Sequence, residues 1–175
     1  MSIFVIADTH FGETSIIEYE DRPFSTTDEM DALIVANWNK TVRKTDTVIH
    51  LGDFGYCNYG EDKEKRIKEM LSLLNGNIEL ILGNHDIDDM LGKYGDLDNI
   101  VDAYRDFGFR QVYKYPVIAE KFFILSHEPL YMNERIPYQN IHGHIHDNAF
   151  ENKNIYRNVS VEKTDYKPVL IKPNG

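Results

Sequence analysis

The chain has 175 residues, of which 42% are hydrophobic and 27% charged, with six prolines. This is the composition of an ordinary globular domain, and it excludes the disordered and fibrous classes. Nineteen basic against 29 acidic residues give a formal net charge of -10, which argues against holding duplex nucleic acid or an anionic membrane through bulk charge but leaves room for a phosphate at one local positive site.

In chain order, the first expected element is a buried strand at 2–7. A loop carrying Arg22-Pro23-Phe24 leads to a helix capped at Thr26/Thr27, with Asp28 and Glu29 in its first turn. Met30, Leu33, Ile34, Trp38 and Val42 recur at helical spacing and define its buried face. A strand at 47–51 follows. The mixed-charge stretch from Glu61 to Asn75 reads as an amphipathic helix burying Ile67, Met70, Leu71 and Leu74, ended by Asn75-Gly76. A third strand is expected at 78–82. The stretch from Asp86 to Asp106 holds seven aspartates against Lys93 and Arg105, and reads as a solvated loop plus a short helix. Short β-rich runs then occupy 111–119, 121–126, 138–143, 154–161 and 168–172.

Helices alternate with strands early and strands dominate late, which predicts an α/β fold with two packed sheets. No Gly-rich loop follows the first strand, so the usual dinucleotide and P-loop readings fall away. No linker or repeat divides the chain, and one domain over 1–175 is expected. No run approaches the roughly 20 apolar residues of a membrane span, and the start carries no basic flank of a signal peptide. A single cysteine, Cys57, fits a reducing compartment. A cytoplasmic protein is therefore expected, and Asn158-Val159-Ser160 is treated as a chance sequon.

Chemistry concentrates where apolar strands end. The first strand runs into Asp8-Thr9-His10, the second into Gly52-Asp53, and the third into Gly83-Asn84-His85-Asp86. A later strand ends in Ser126-His127, and Ile141 precedes His142-Gly143-His144-Ile145-His146. Sites in open α/β sheets lie outside the carboxyl ends of strands, so these five ends can converge. Carboxylate, imidazole and amide donors without thiolate suit a pair of divalent cations such as manganese, iron, zinc or nickel. Adjacent glycines let the backbone approach closely. One Asp or His at a strand end is usually a turn residue; five such ends together are not explained that way.

This ordered set is similar to the motifs of the calcineurin-like metallophosphoesterases, in the small single-domain bacterial and phage branch. All five motifs are present between residues 8 and 146. Arg22-Pro23-Phe24, Asn37-Trp38-Asn39 and Asn158-Val159-Ser160-Val161 resemble that branch as well. The resemblance implies a two-sheet sandwich flanked by helices. It implies that Asp8, His10, Asp53 and His146 hold one metal. Asp53 would bridge to a second, held also by Asn84, His127 and His144. A hydroxide between two divalent metals, manganese first among them (iron, zinc, nickel or cobalt as alternatives), would attack phosphorus. His85 would act on the leaving oxygen as general acid or positive stabiliser, and Asn84 would also touch substrate.

Two departures from the protein phosphatases of the superfamily stand out. Tyr56 and Cys57 replace their Asp-Arg, and Asp86 replaces a Glu. Both favour a small phosphodiester over a phosphoprotein, with a small-molecule monoester as the alternative. Arg22 is nominated as the substrate-contacting arginine. His50 and His142 are read as structural. The rivals are a non-catalytic interaction scaffold like the retromer subunit of this fold, which lacks the histidine kept here at His85, and a nuclease, which the acidic charge disfavours. Asp53-Phe54-Gly55 spells a kinase motif, but the other kinase motifs are absent.

Overall fold

A computed structural model of the chain describes residues 2–57, 59–133, 135–150 and 152–171. Among the described residues, nine short strands form two sheets. The first holds β1 (Ile3–Ile6), β2 (Thr47–His50), β3 (Asn77–Ile81), β4 (Gln111–Tyr113) and β9 (Val169–Leu170), in the order β4-β3-β2-β1-β9. Neighbours from β1 to β4 pair in parallel and β9 runs antiparallel on β1. The second sheet orders β5 (Val117–Ala119), β6 (Phe123–Leu125), β7 (Gln139–His142) and β8 (Tyr156–Asn158), with only β5 antiparallel to its neighbour. Parallel pairing brings the carboxyl ends of β1, β2 and β3 to one edge, and those of β6 and β7 to one edge of their own sheet.

Strand alternation sorts the apolar side chains into two layers. Val5, Ala7, Ile49, Leu51 and Ile81 of the first sheet meet Phe123, Leu125 and Ile141 of the second in a sandwich core. Phe4, Ile6, Val48, Ile78 and Leu80 point the other way, into the layer of helices. These are α1 (Thr14–Tyr19), α2 (Thr27–Thr41), α3 (Lys63–Leu73), α4 (Asn84–Tyr94) and α5 (Leu97–Phe107). Every helix contributes a buried residue to that same layer: Ile16, Trp38, Ile67, Met90 and Tyr104. Burying each of the larger of these side chains stabilises the fold by about 1.5–3 kcal/mol. The two-sheet sandwich flanked by helices is thus the architecture expected from the sequence. No helix of the described residues is long and apolar enough to cross a membrane.

Helix α2 begins as expected, with the Thr26 hydroxyl accepting the Glu29 amide at 3.2 Å. Its buried face is Met30, Ile34 and Trp38, whereas Leu33 is 40% exposed because it falls off the i, i+4 stripe. Helix α1 was not expected; it has no side-chain N-cap and is only six residues long. The acidic stretch from 86 holds two full helices rather than one. Asp96 caps the second by accepting the Asn99 amide, and Gly95 and Gly108 close them. The run 111–119 divides at Pro116, with β4 in the first sheet and β5 in the second. The last expected strand, 168–172, is observed at Val169–Leu170; its end at Lys172 lies outside the described residues.

Candidate metal centre

The five strand ends meet in one crevice. The loops after β1 and β2 are zipped together: the Asp8 amide donates to Gly52 O, and the His10 amide to Asp53 O, both at 3.1 Å. The Gly143 amide donates to His127 O at 2.9 Å, joining the ends of β6 and β7. The two sheets are tied by the His144 amide, which donates to the Asp8 carboxylate at 3.0 Å. Asp8, His10, Asp53, His144 and His146 all take left-handed backbone conformations, with φ between 47° and 67°. Such a conformation costs a non-glycine residue about 1–2 kcal/mol and persists where the surroundings enforce it.

Glycines make the close approaches possible. A Cβ on Gly143 would stand 2.3 Å from Asp8 Oδ2, and one on Gly83 would stand 2.2 Å from Asp53 Oδ1. Both contacts are too short for any other residue.

The ligand atoms expected from the sequence fall into two groups. Asp8, His10 and His146 form one, and Asp53, His127 and His144 the other, each with its atoms within 4.8 Å of one another. Asp53 Oδ2 stands between them, 3.7 Å from His10 Nε2 and 3.4 Å from His127 Nε2. Asn84 Oδ1 completes the second group, 2.9 Å from His127 Nε2 and 3.0 Å from His144 Nδ1, with the two imidazole nitrogens 3.2 Å apart. Donors held about 2.1 Å from one ion at right angles would be about 3 Å apart, which is this spacing. In the first group His10 Nε2 is buried and has no hydrogen-bond partner among the described residues. A buried orphan nitrogen facing carboxylates fits a cation.

Electrostatics agree. Asp53 is held below the usual carboxylate range: burial opposes ionisation, but the hydrogen bond and charge of His127, then His10 and His85, outweigh it. Burial likewise opposes protonation of His127, yet Asp53 pushes its pKa up to about 9.

The chain matches the calcineurin-like phosphoesterase family over residues 1–171. It belongs to that family. An uncharacterized protein of Methanocaldococcus jannaschii is 35% identical, across 97% of this chain and 86% of its own length. The crystal structure of a protein of unknown function from Aquifex aeolicus superimposes with a TM-score of 0.66 at 26% identity, covering 97% of this chain and 95% of that one.

Around the centre of this family member lie groups that sequence reasoning missed. Glu13 Oε2 is 2.9 Å from His10 Nδ1, and Glu162 Oε1 is 3.1 Å from His146 Nδ1. The Leu51 carbonyl does the same for His127 at 2.8 Å. Each accepts from one ring nitrogen and leaves the other for the crevice. Glu13 stays below the normal carboxylate range, with His10 outweighing burial. His85, exposed at the N-terminus of α4, has its amide on Asp53 Oδ1 at 2.9 Å and its ring edge-on to that of His10. Its ring nitrogen, a Glu13 carboxylate oxygen and Cys57 Sγ lie within 4.8 Å of one another. Asp86 is fully buried, not solvated, and accepts the amides of Gly83, Asp53 and Phe54.

His50 is buried against Thr9 Oγ1 at 3.0 Å, and burial lowers its pKa to about 3, so it is a neutral prop beneath the turn. His142 is buried as well, beside Gly143 O, with burial lowering its pKa.

Arg22 corrects an expectation. Its side chain is fully buried and every one of its five N–H donors is taken. Nε and Nη2 donate to Glu162 Oε1, Nη2 to Asp8 O at 2.7 Å, and Nη1 to Thr9 O and Met30 Sδ. With no donor left over, it does not reach a phosphate in the crevice.

Proposed function

We propose that this protein hydrolyses a small phosphodiester with the help of two divalent cations. The observation that carries the reading is the pair of donor clusters meeting at Asp53. Asp8, His10, His146 and Asp53 would hold one cation; Asp53, Asn84, His127 and His144 would hold the other. When bound, the pair supplies Lewis acidity toward the phosphoryl group and a water deprotonated at neutral pH. Carboxylate, amide and imidazole donors without thiolate suit manganese, iron, zinc, nickel or cobalt, and manganese is the ion taken first.

The chain's own groups do the rest. His85, exposed and beside the centre, is placed to protonate or stabilise the leaving oxygen. The N-terminal end of the α4 dipole favours an anion at Asn84. Two features favour a diester. Arg22 is engaged inside the protein and offers no clamp for the second charge of a monoester. A groove of about 280 Å³ opens beside Asn84 and His127, lined by Leu82, Ile87, Tyr115, Pro116 and Leu130, and gives an ester substituent apolar walls.

The test is a comparison of a chromogenic diester, its monoester, cyclic nucleotides and nucleotide sugars, with and without added manganese. Chelation abolishes turnover, manganese restores it, and the diester is the faster substrate. His85→Ala keeps the metals and loses turnover. Activity on none of these substrates would favour the interaction scaffold, and loss of metal from His85→Ala would overturn its role.

A further inference from the structure

We infer that Glu162, held in place by Arg22, is a positioning residue for the first metal position alone. The inference rests on the two-metal reading above. Arg22 comes from the loop between α1 and α2, and Glu162 from the 3-10 turn Val161–Lys163 after β8. They are 140 positions apart in sequence, yet their charged ends meet at 2.6 Å with side chains 0% and 6% exposed. So thoroughly buried a pair is a poor device for stability, since desolvation offsets most of the attraction. Its contacts point instead to the centre.

The same guanidinium that binds Glu162 donates to the carbonyls of Asp8 and Thr9, at 2.7 and 3.0 Å. It thereby fixes the left-handed turn that presents the Asp8 carboxylate. Glu162 in turn receives His146 Nδ1 at 3.1 Å. That hydrogen bond sets the tautomer and leaves Nε2 bare for a cation. Asp8 and His146 are two of the three members of the first cluster. Among the described residues, neither Arg22 nor Glu162 hydrogen-bonds Asp53, His127 or His144 of the second.

Charge strengthens the assignment. Glu162 Oε2 is buried with no hydrogen-bond partner among the described residues, and the Glu20 carboxylate belongs to the same cluster around His146. Three carboxylates (Asp8, Glu20 and Glu162) therefore gather around His146, and Glu162 pairs with the Arg22 guanidinium. A divalent ion on the crevice side of the ring answers that excess, and the Glu162 contact makes the imidazole a more basic donor to it.

The experiment counts manganese bound to metal-stripped wild type, Glu162→Ala and Glu162→Gln by equilibrium dialysis and calorimetry. At a free concentration that just saturates the wild type with two ions, Glu162→Ala retains one. The lost equivalent weakens about 10- to 100-fold and the other keeps its wild-type affinity. Glu162→Gln, which keeps the shape and an acceptor for Arg22, lies between the two and serves if the alanine variant does not fold. Equal weakening of both equivalents would mark a general structural role and overturn the inference, as would no change in either. A wild type that takes up fewer than two ions would overturn the two-metal reading, and this inference with it.

Discussion

Replacing Asp86 by asparagine removes one charge and almost no volume, at a point where the structure leaves no tolerance. Asp86 Oδ2 accepts the Asp53 and Gly83 amides at 2.8 and 2.9 Å, and Oδ1 accepts the Phe54 amide at 3.1 Å. An asparagine has only one oxygen. Whichever way its amide turns, an NH2 group faces a buried backbone N–H. The loss is one hydrogen bond to a charged acceptor, about 1.5–3 kcal/mol, plus an unsatisfied buried donor, about 1–3 kcal/mol. An opposing contribution exists: burial, and then the charge of Asp53, raise the pKa of Asp86, so neutralising it recovers part of the cost. The net expectation is a destabilisation of about 3 kcal/mol. Urea unfolding of the metal-stripped protein at pH 8 measures it. A loss below about 1 kcal/mol, or a gain, would show that the relief of buried charge outweighs the three amides and would refute the reasoning.

Gly143→Ala drives a methyl group to within 2.3 Å of Asp8 Oδ2, so turnover of a diester should fall about 100-fold with the fold retained by circular dichroism. Gly92→Ala is the contrasting control: it lies within α4 with open space around it, and should be neutral or stabilising by up to about 1 kcal/mol. Asp31 should make stability depend on pH. Burial raises its pKa to about 7 against the Gly12 amide that it accepts, so the folded state keeps a proton that the unfolded chain has lost. Its contribution is therefore complete below about pH 4 and declines as the pH rises toward 7. Asp31→Asn removes that decline, and should gain on the order of 1 kcal/mol over wild type between pH 5 and pH 8, after allowance for solvent screening. A denaturation midpoint difference that does not change with pH would count against it.

The legible parts of this protein are those in which chemistry is written next to the element that presents it. Asp8, Asp53, Asn84, His127, His144 and His146 each follow an apolar strand directly, so strand ends and donors could be read together. What was not legible depends on contacts that only the fold makes. Glu13, three residues from His10, and Glu162, sixteen from His146, meet the far nitrogens of those rings, and spacing alone marks neither glutamate as a partner. Arg22 looked available for a phosphate because its partner lies 140 residues away. Asp86 was legible as the end of the third motif and as the first charge of an acidic run, but not as a buried acceptor that the start of α4 packs against the Asp53 turn. The backbone strain at five of the candidate ligands has no local sequence mark either, since only tertiary contacts enforce it. Strand limits failed where Pro116 hands the chain from one sheet to the other.

The most direct test of the central claim is a manganese titration of the metal-stripped protein, following bound metal and diester hydrolysis in the same samples. The two clusters joined at Asp53 predict no turnover without metal, and full turnover only when two ions are bound per chain. Asp53→Asn should reach neither. Hydrolysis by the metal-stripped wild type at the same rate as the loaded protein would contradict the account.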